Sequence, residues 1–595
     1  MAEGDVAAPA VIRADRWAEK TRVARYLMAN ESHKTVRREY DVRDQYVSDY
    51  ILPRRDFSVT LRPGQIRPHR VTSSLARTLN YRAAVMLLTY LVDTSRPFML
   101  PNVKSGLAMA GRVSNLDDRS INYLGGMQQT VFDAMLRPRA NFLMRLLAIL
   151  TEYCAFGRGV MFTARKRGFG PVFTTRGAAS CWWGLDEHEE VDNLHEIFKL
   201  PLYRMEERWP EAVKRGWADR KIDRGDQQEL FDILKVCGPR EGGRMGAATL
   251  AKPVELVTIC MDKEVILDEG GFDSFPYQVF RRGPLPGEAY CEGMAGAALP
   301  DVMVLNHLVQ VIENAASQKA DPAIAVPARM FAKTLDRRPS AINPYNPTGL
   351  GLQSADKAII KLDLTGDPGP AMEVCKTLID NIEKAFMADV FTLRETGDMT
   401  AEEVNARTDL NMRGGAGEAA NIGSPFSHLA DRVQMILQAE GVFPPPPEAL
   451  RRADVDWEYA GPLQIAQLQK NVSGMMQMLN ATALVAKMGP DGEAAAQTTD
   501  LESSLRVIHD ALGLPPGTQN SHDKVVAFRR QQAQATQQAQ AAQLAQAHAK
   551  AASDGAGAAA TALDAIKNYA GGAGGGAPGG PPAPFAPAAP FQQAA

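Results

Sequence analysis

The chain has no Cys-x-x-Cys pair, and its six cysteines (Cys154, Cys181, Cys237, Cys260, Cys291, Cys375) are scattered. That spacing argues against a zinc site or a disulfide framework and fits reduced, cytosolic thiols. No Gly-Lys dipeptide occurs anywhere, so the GxxxxGK[ST] phosphate loop is absent and a P-loop ATPase is excluded at the level of motif. Neither a GxSxG elbow nor an HExxH helix is present. No run of eighteen apolar residues exists. The most hydrophobic stretch, Ala83–Val92, is too short to span a bilayer and reads as a buried helix, so no membrane insertion is expected. The opening MAEGDVAAPAVIRADRW has no apolar core, and no signal peptide is expected. A net charge of −3 gives no global mark of a nucleic-acid binder.

What is present is a globular composition, 45% hydrophobic and 23% charged, over 595 residues, too long for one simple core. Several subdomains are expected. Residues 11–50 place Trp17, Val23, Tyr26 and Leu27 at roughly helical spacing, which predicts a surface helix. A second helix is predicted over 71–93, ended by Arg96-Pro97-Phe98, and a third region over 117–155. Phe156-Gly157-Arg158-Gly159-Val160 then turns into a strand, as a glycine pair should. Strands at Val254–Ile259 and Glu264–Leu267 and a helix over Tyr203–Arg215 fill out a mixed region over 160–290.

The most informative stretch is 276–327. An aromatic, β-rich entry leads into a Gly/Pro-rich turn, the turn ends in Leu299-Pro300-Asp301, and a long amphipathic helix follows. Pro300 is expected in its first turn, where no intrahelical donor is lost, with Asp301 complementing the helix dipole. Val302, Leu305, Leu308, Val309, Ile312 and Ala316 make one apolar stripe. Short β-like runs at Ala323–Val326 and Ala358–Leu362 lie in a Pro- and Gly-punctuated insert. A second helix, Ala371–Phe391, carries Val374, Leu378, Ile382, Ala385 and Phe386 on one face. After the polar loop Leu393–Met399, Thr400 and Glu403 form a capping box for a helix expected to break or bend at Gly414, Gly415 and Gly417 and to resume after Pro425. Val455–Tyr459 reads as a strand, with a helix opening at Gly461-Pro462. The Gln/Ala run 531–549 reads as helix, and the Gly/Ala/Pro-rich tail 571–595 cannot bury a core, so disorder is expected there.

Two clusters invite chemistry. Asp186, Glu187, His188, Glu189, Glu190, His195 and Glu196 offer carboxylates and imidazoles that can hold a divalent cation, or else form a solvated hairpin. Arg165-Lys166-Arg167 can touch DNA or a neighbouring subunit, or sit in a solvated turn.

The order of elements resembles the portal proteins, or head-to-tail connectors, of short-tailed bacteriophages. There the turn carries a Tyr-Gly-Arg-Gly-Pro-like pattern, then Leu-Pro-Asp, then a helix with Leu-Asn. Here Tyr290, Gly293, Leu299, Pro300, Asp301, Leu305 and Asn306 match, while Cys291, Glu292 and Met294 depart from it. The Met399-Thr400-Ala401 element and the strand followed by Gly-Pro-Leu at 461–463 are similar too.

The resemblance implies an α+β, mainly helical portal fold. Its parts would be an N-terminal wing region (1–296), a first stem helix (297–320), a clip (321–366) and a second stem helix (367–392). A tunnel loop (393–399), a long wing/crown helix region (400–454), a crown (455–530), a barrel-like Gln/Ala-rich helical segment (531–570) and a disordered tail (571–595) would follow. It implies a dodecameric ring at one capsid vertex, through which double-stranded DNA is packaged and ejected. The partners would be the major capsid and scaffolding proteins, the terminase large subunit and tail adaptors. The protein would be found in the virion, and in the host cytoplasm during assembly. No catalytic, metal or cofactor residue is implied, and no cofactor. An acidic wall would let DNA slide rather than stick. Leu393, Arg394, Glu395, Gly397 and Asp398 would face the channel, and Arg337, Arg338 and Tyr345 would dock the motor and tail. Leu305, Ile312, Leu378 and Ile382 would pack the stem, mainly between subunits. The alternatives are a tail adaptor or tube ring protein, and a head-associated enzyme built on the acidic cluster.

Overall fold

The computed structural model describes residues 16–53, 55–58, 71–95, 97–104, 118–217, 226–240, 252–321, 324–327, 336, 338, 341–345, 360–361, 369–388, 401–451, 454–460, 474–484, 504–505, 508 and 522–570. They divide into two units, Met1–Gln519 and Asn520–Ala595.

The first unit opens with α1 (Arg16–Tyr50), α2 (Leu75–Leu91), β1 (Met99–Lys104), α3 (Asp118–Leu136) and α4 (Phe142–Phe156). α1 is the expected surface helix, with most of its residues not buried, but its buried face is not purely apolar. Val23, Tyr26, Asn30, Arg37, Asp44 and Val47 are buried along one face, so polar groups share its apolar stripe. The single helical stretch expected over 117–155 is two helices. Pro138 opens a short 3-10 turn and Asn141 sits at φ 62, which reverses the chain before Phe142.

β2 (Arg158–Lys166), β3 (Gly170–Arg176), β4 (Cys181–Leu185), β5 (Val191–Pro201), α5 (Leu202–Arg208), α6 (Pro210–Gly216), β6 (Leu230–Pro239), β7 (Val254–Cys260), β8 (Val265–Phe272) and β9 (Tyr277–Arg281) follow. The helix expected over 203–215 breaks at Trp209 because Pro210 starts α6 at its first position. β4-β5-β6-β7-β8 form an antiparallel sheet, and β3-β2-β9 a second. One face of the larger sheet carries Trp183, Leu194 and Cys237, which meet Val160, Tyr277 and Val279 of the smaller one. The opposite face carries Trp182, Ile197, Val236 and Val257, which bury Val23 and Tyr26 of α1. Strand alternation sets both layers.

The chain then forms α7 (Met294–Ala320), β10 (Ile324–Pro327), β11 (Ile342–Tyr345), β12 (Ile360–Lys361), α8 (Gly369–Ala385), α9 (Ala401–Ala439) and β13 (Asp454–Tyr459). β10 lies between β11, parallel, and β12, antiparallel. β13 pairs antiparallel with β1, from Met99 opposite Tyr459 to Lys104 opposite Asp454.

Two expectations change here. α7 begins at Met294, so Pro300 lies inside the helix rather than in its first turn, and Asp301 is away from its positive end. α9 runs unbroken through Gly414, Gly415, Gly417 and Pro425. Its face of Ala419, Ile422, Phe426, Leu429, Ala430 and Val433 is buried. Each large apolar side chain so buried contributes about 1.5–3 kcal/mol, enough together to offset the roughly 3 kcal/mol an interior proline costs. Phe426 stacks on Tyr459 at 5.0 Å and meets Phe98, Phe142 and Phe280 edge-on, which joins β1, α4, β9, α9 and β13 in one core.

α7 is, among the described residues, the helix long and apolar enough by length and composition to cross a membrane. Its first half is instead buried in this core, at Met294, Ala295, Ala298, Leu299, Val302 and Leu305. The second unit is described by α10 (His522–Ala570), a 49-residue helix that takes in the Gln/Ala run and continues past it. Phe528, Leu544 and Leu563 are exposed on it.

His195, on β5, is buried against His33 of α1, with ring centroids 4.8 Å apart. Burial, helped by His33, pushes the His195 imidazole down to about 3. The folded protein therefore holds this group neutral while an unfolded chain protonates it near 6.5. Stability is full above pH 6.5 and falls as pH drops toward 3, by up to about 1.4 kcal/mol per pH unit for one such group. Urea midpoints measured from pH 7 to 5 should fall, and His195→Gln should flatten that slope.

Candidate docking, channel and packing sites

The turn before α7 is a backbone-to-backbone junction. Tyr290 is fully buried, its ring 4.6 Å from Trp183, and its hydroxyl accepts the Trp183 N–H at 3.2 Å. A Cβ on Gly293 would lie 2.4 Å from the Ala155 carbonyl oxygen, and one on Gly157 (φ +72) would lie 2.5 Å from the Glu292 carbonyl carbon. Only glycine allows the end of α4 and the start of α7 to approach this closely. Asn306, on α7, then secures a second helix. Its Oδ1 accepts the backbone N–H of Thr72 at 3.0 Å and of Ser73 at 2.9 Å, just ahead of α2, while its Nδ2 donates to the Val302 carbonyl at 2.8 Å. Thus Tyr290, Gly293, Leu299, Leu305 and Asn306 all hold the core together rather than reaching for a ligand.

Around this junction lies a buried charge network that sequence reading missed. Arg158 and Asp44 are both fully buried and meet at 2.5 Å. Arg37 pairs with Asp41 at 2.7 Å, donates to the Ala179 carbonyl at 2.8 Å and lies 4.2 Å from the Trp182 ring. Burial pushes the Arg37 guanidinium down and the Asp41 carboxyl up, each partly countered by the other's charge. Glu418 of α9 accepts the Tyr153 hydroxyl and the Arg282 Nε, each at 2.7 Å. Burial, reinforced by Glu418, holds the Tyr153 hydroxyl well above its usual range. A readable signal existed: Arg37, Asp44 and Val47 fall on one helical face of α1, with charges interleaved in an apolar stripe.

An open cleft of about 600 Å³ borders this network, lined by Tyr40, Arg43, Arg282, Leu285, Glu288, Met387 and Glu418 among others. Its charges answer one another. Arg43 donates to the Cys291 carbonyl at 3.0 Å and lies 3.8 Å from Glu292, and Arg282 is held by Glu418. All six cysteines are buried, and burial raises the thiols of Cys154, Cys181, Cys237, Cys260 and Cys291, that of Cys260 to about 11.

The acidic cluster is not brought together. Asp186 accepts the backbone N–H groups of His188 and Glu190 in an exposed hairpin turn. His195 points to α1, whereas Glu196 points the other way, 3.3 Å from Arg176 and accepting from the Tyr277 hydroxyl at 3.2 Å. Among the described residues no group of three or more metal-ligating side chains forms. The basic tripeptide is partly structural: Arg165 Nε donates to Glu440 at 2.6 Å, at the end of α9.

α7 and α8 pack together, with the β10–β12 sheet between them in sequence. Leu305 and Ile382, expected to be buried mainly between subunits, are already buried within one chain, and Ile312 and Leu378 are half-buried on the same core. The reason is that α7 and α8 face each other and the body at once. Val374, expected on the buried face, is 49% exposed; Val304, Val311 and Met372 are similarly open, at 48%, 45% and 50%. Arg338 is exposed and grips Asp336 through its Nε at 2.9 and 3.0 Å, which holds that carboxyl down at about 2. Tyr345 ends β11, opposite Pro327. Arg337 and the loop residues Leu393, Arg394, Glu395, Gly397 and Asp398 lie outside the described residues, as do Thr400, 461–473 and the tail 571–595.

Among the described residues the buried charges are tied to one another, and the long helical hairpin carries open apolar residues. Residues 24–518 match the family described as bacteriophage head to tail connecting protein, and the chain belongs to that family. It is also similar to the "Probable portal protein" of Bordetella phage BPP-1, at 22% identity over 508 residues, covering 82% of this chain and 87% of that one. The family is a structural one, seated where phage head meets tail.

Replacing Asn306 by alanine leaves the backbone N–H groups of Thr72 and Ser73, at a partly exposed junction, without their acceptor, a loss of about 0.5–1.5 kcal/mol for each hydrogen bond. The melting temperature of Asn306→Ala should fall by several degrees in calorimetry.

Proposed function

We infer that the chain is the portal subunit of a short-tailed phage. Copies of it form a dodecameric ring at one capsid vertex, which the major capsid and scaffolding proteins surround. Double-stranded DNA passes through the ring during packaging and ejection. The terminase large subunit docks on it first and the tail adaptors later. It exists free in the host cytoplasm before assembly. The protein works mechanically, as conduit and valve, with chemical energy supplied by the motor. Family membership over 24–518 carries this reading. The α7–α8 hairpin supports it, since a two-helix stem with an insert at its end suits a ring and its docking face.

In this reading α7 and α8 are the two stem helices and the insert 321–366 is the clip, with Arg337, Arg338 and Tyr345 as contacts for motor and tail, arginine and tyrosine being favoured interface anchors. The outward residues Val304, Val311, Met372 and Val374 are the stem surface that packs between copies. Wild-type protein should give rings with a central channel in electron micrographs and one large species in light scattering. Val304→Glu/Val311→Glu should dissociate them without unfolding the subunit. A monodisperse wild-type monomer at micromolar concentration defeats the reading.

The valve is assigned to Leu393–Met399. Arg394 touches phosphate transiently, Glu395 and Asp398 prevent tight retention, and Gly397 lets the backbone flex. Replacing 394–398 with Gly-Ser should spare ring assembly and impair packaging or retention of the genome. Heads built with that variant that stably hold full-length DNA reject the valve role.

A further inference from the structure

The basic tripeptide at the tip of the β2–β3 hairpin has a neighbour that its sequence does not reveal. Gly168 turns the tip at φ +71, and Phe169 there accepts a hydrogen bond through its carbonyl from Arg137 Nη1 at 3.5 Å. Arg137 and Arg139 flank Pro138 at the corner between α3 and α4. The corner and the hairpin tip therefore present Arg137, Arg139, Lys166 and Arg167 on one surface, all four exposed.

Arg165 is used differently. It donates to Glu440 at 2.6 Å and to the Ala439 carbonyl at 3.0 Å, and Glu440 also accepts the Gly168 N–H at 3.0 Å. This arrangement does two things. It fixes the tip on the end of α9, and it commits Glu440 to hydrogen bonds with Arg165 and Gly168, leaving it only a longer-range attraction to Arg167. Among the described residues, no carboxylate closes an ion pair with Arg137, Arg139, Lys166 or Arg167. In a chain of net charge −3, such a concentration of open cations is a local reversal of sign.

We propose that this corner binds the phosphate backbone of double-stranded DNA without regard to sequence, at a site on the surface of a single chain. Guanidinium forks match phosphate oxygens, and several cations held on a rigid corner release counterions together on binding. The inference does not rest on the ring or on the valve.

Binding to a closed-circular duplex separates this site from a channel, since a circle cannot thread a closed ring. The full-length protein should bind the circle at about 50 mM salt, and the affinity should fall steeply with added salt, log K changing by about −0.9 per phosphate contact against log salt. R137Q/R139Q/K166Q/R167Q should bind at least tenfold more weakly, with a shallower salt slope. The pairs R137Q/R139Q and K166Q/R167Q should each lose part of the affinity, and R137K/R139K/R167K, which keeps the charges but not the forks, should keep the salt slope and lose less affinity than the quadruple variant. R77Q/R82Q/R204Q/K214Q, an equal change of charge on other exposed residues, should change it less than threefold. The proposal is overturned if wild type fails to bind the circle, if both pairs and the quadruple variant bind as wild type does, or if the charge-matched control loses as much. Polyglutamate of matched charge displacing the DNA at equal concentration assigns the corner to an acidic protein segment and overturns it equally.

Discussion

The ion pair between Arg158 and Asp44 is the tie on which the rest of the first unit hangs. Both groups are out of reach of water, and they come from the first residue of β2 and the C-terminal third of α1. Removing Asp44 would leave the Arg158 guanidinium buried without its carboxylate, at a cost of about 3–5 kcal/mol, whereas removing Arg158 would leave Asp44 with Arg43 at 3.3 Å as its remaining cation. Arg158 follows Gly157, the residue whose backbone touches Glu292, so the same tie positions the turn from which α7 departs. The Arg158 guanidinium also lies 5.2 Å from the Tyr290 ring. One buried pair thus orders α1, the α4–β2 turn and the start of α7.

From that anchored turn α7 runs 27 residues, about 40 Å. Its first half is locked in the body by Leu299, Val302, Leu305 and Asn306, and its second half emerges against α8 with apolar residues still open. A rigid root and an open tip suit a structural element that transmits position rather than chemistry. α9 is rooted in the same body through Glu418, which joins Tyr153 of α4 to Arg282 beyond β9. Both long helices therefore share one foundation.

Charge is distributed with the same economy. Most cations within the body are tied to carboxylates or carbonyls: Arg22 to Glu269, Arg37 to Asp41, Arg165 to Glu440, Arg282 to Glu418. The corner of α3–α4 and the β2–β3 tip stands apart: Glu440 is held by Arg165 and Gly168, and among the described residues Asp133, one turn before Arg137, is bonded to Gln129.

Local sequence was enough for whatever depends on neighbours along the chain. The amphipathic stripes placed α2, α7 and α8, and the glycine pair placed the entry to β2. The order of the 276–306 elements was enough to point to the family, because those residues hold a turn and a helix entry that the fold cannot do without. Tertiary structure alone decided the rest. β1 was illegible because its partner, β13, lies some 350 residues away in sequence, and α9 passes through glycines and Pro425 because a core built from β1, α4 and β9 holds its apolar face. His195 and Glu196, adjacent in sequence and read as one cluster, face opposite sides of a strand. Leu305 and Ile382 found their burial within one chain, leaving Val304 and Val374 outside, and Arg137 met the basic tripeptide only across a folded corner. Periodicity tells which residues share a face; what covers that face is set by contacts between segments far apart in the chain, and no local pattern encodes those.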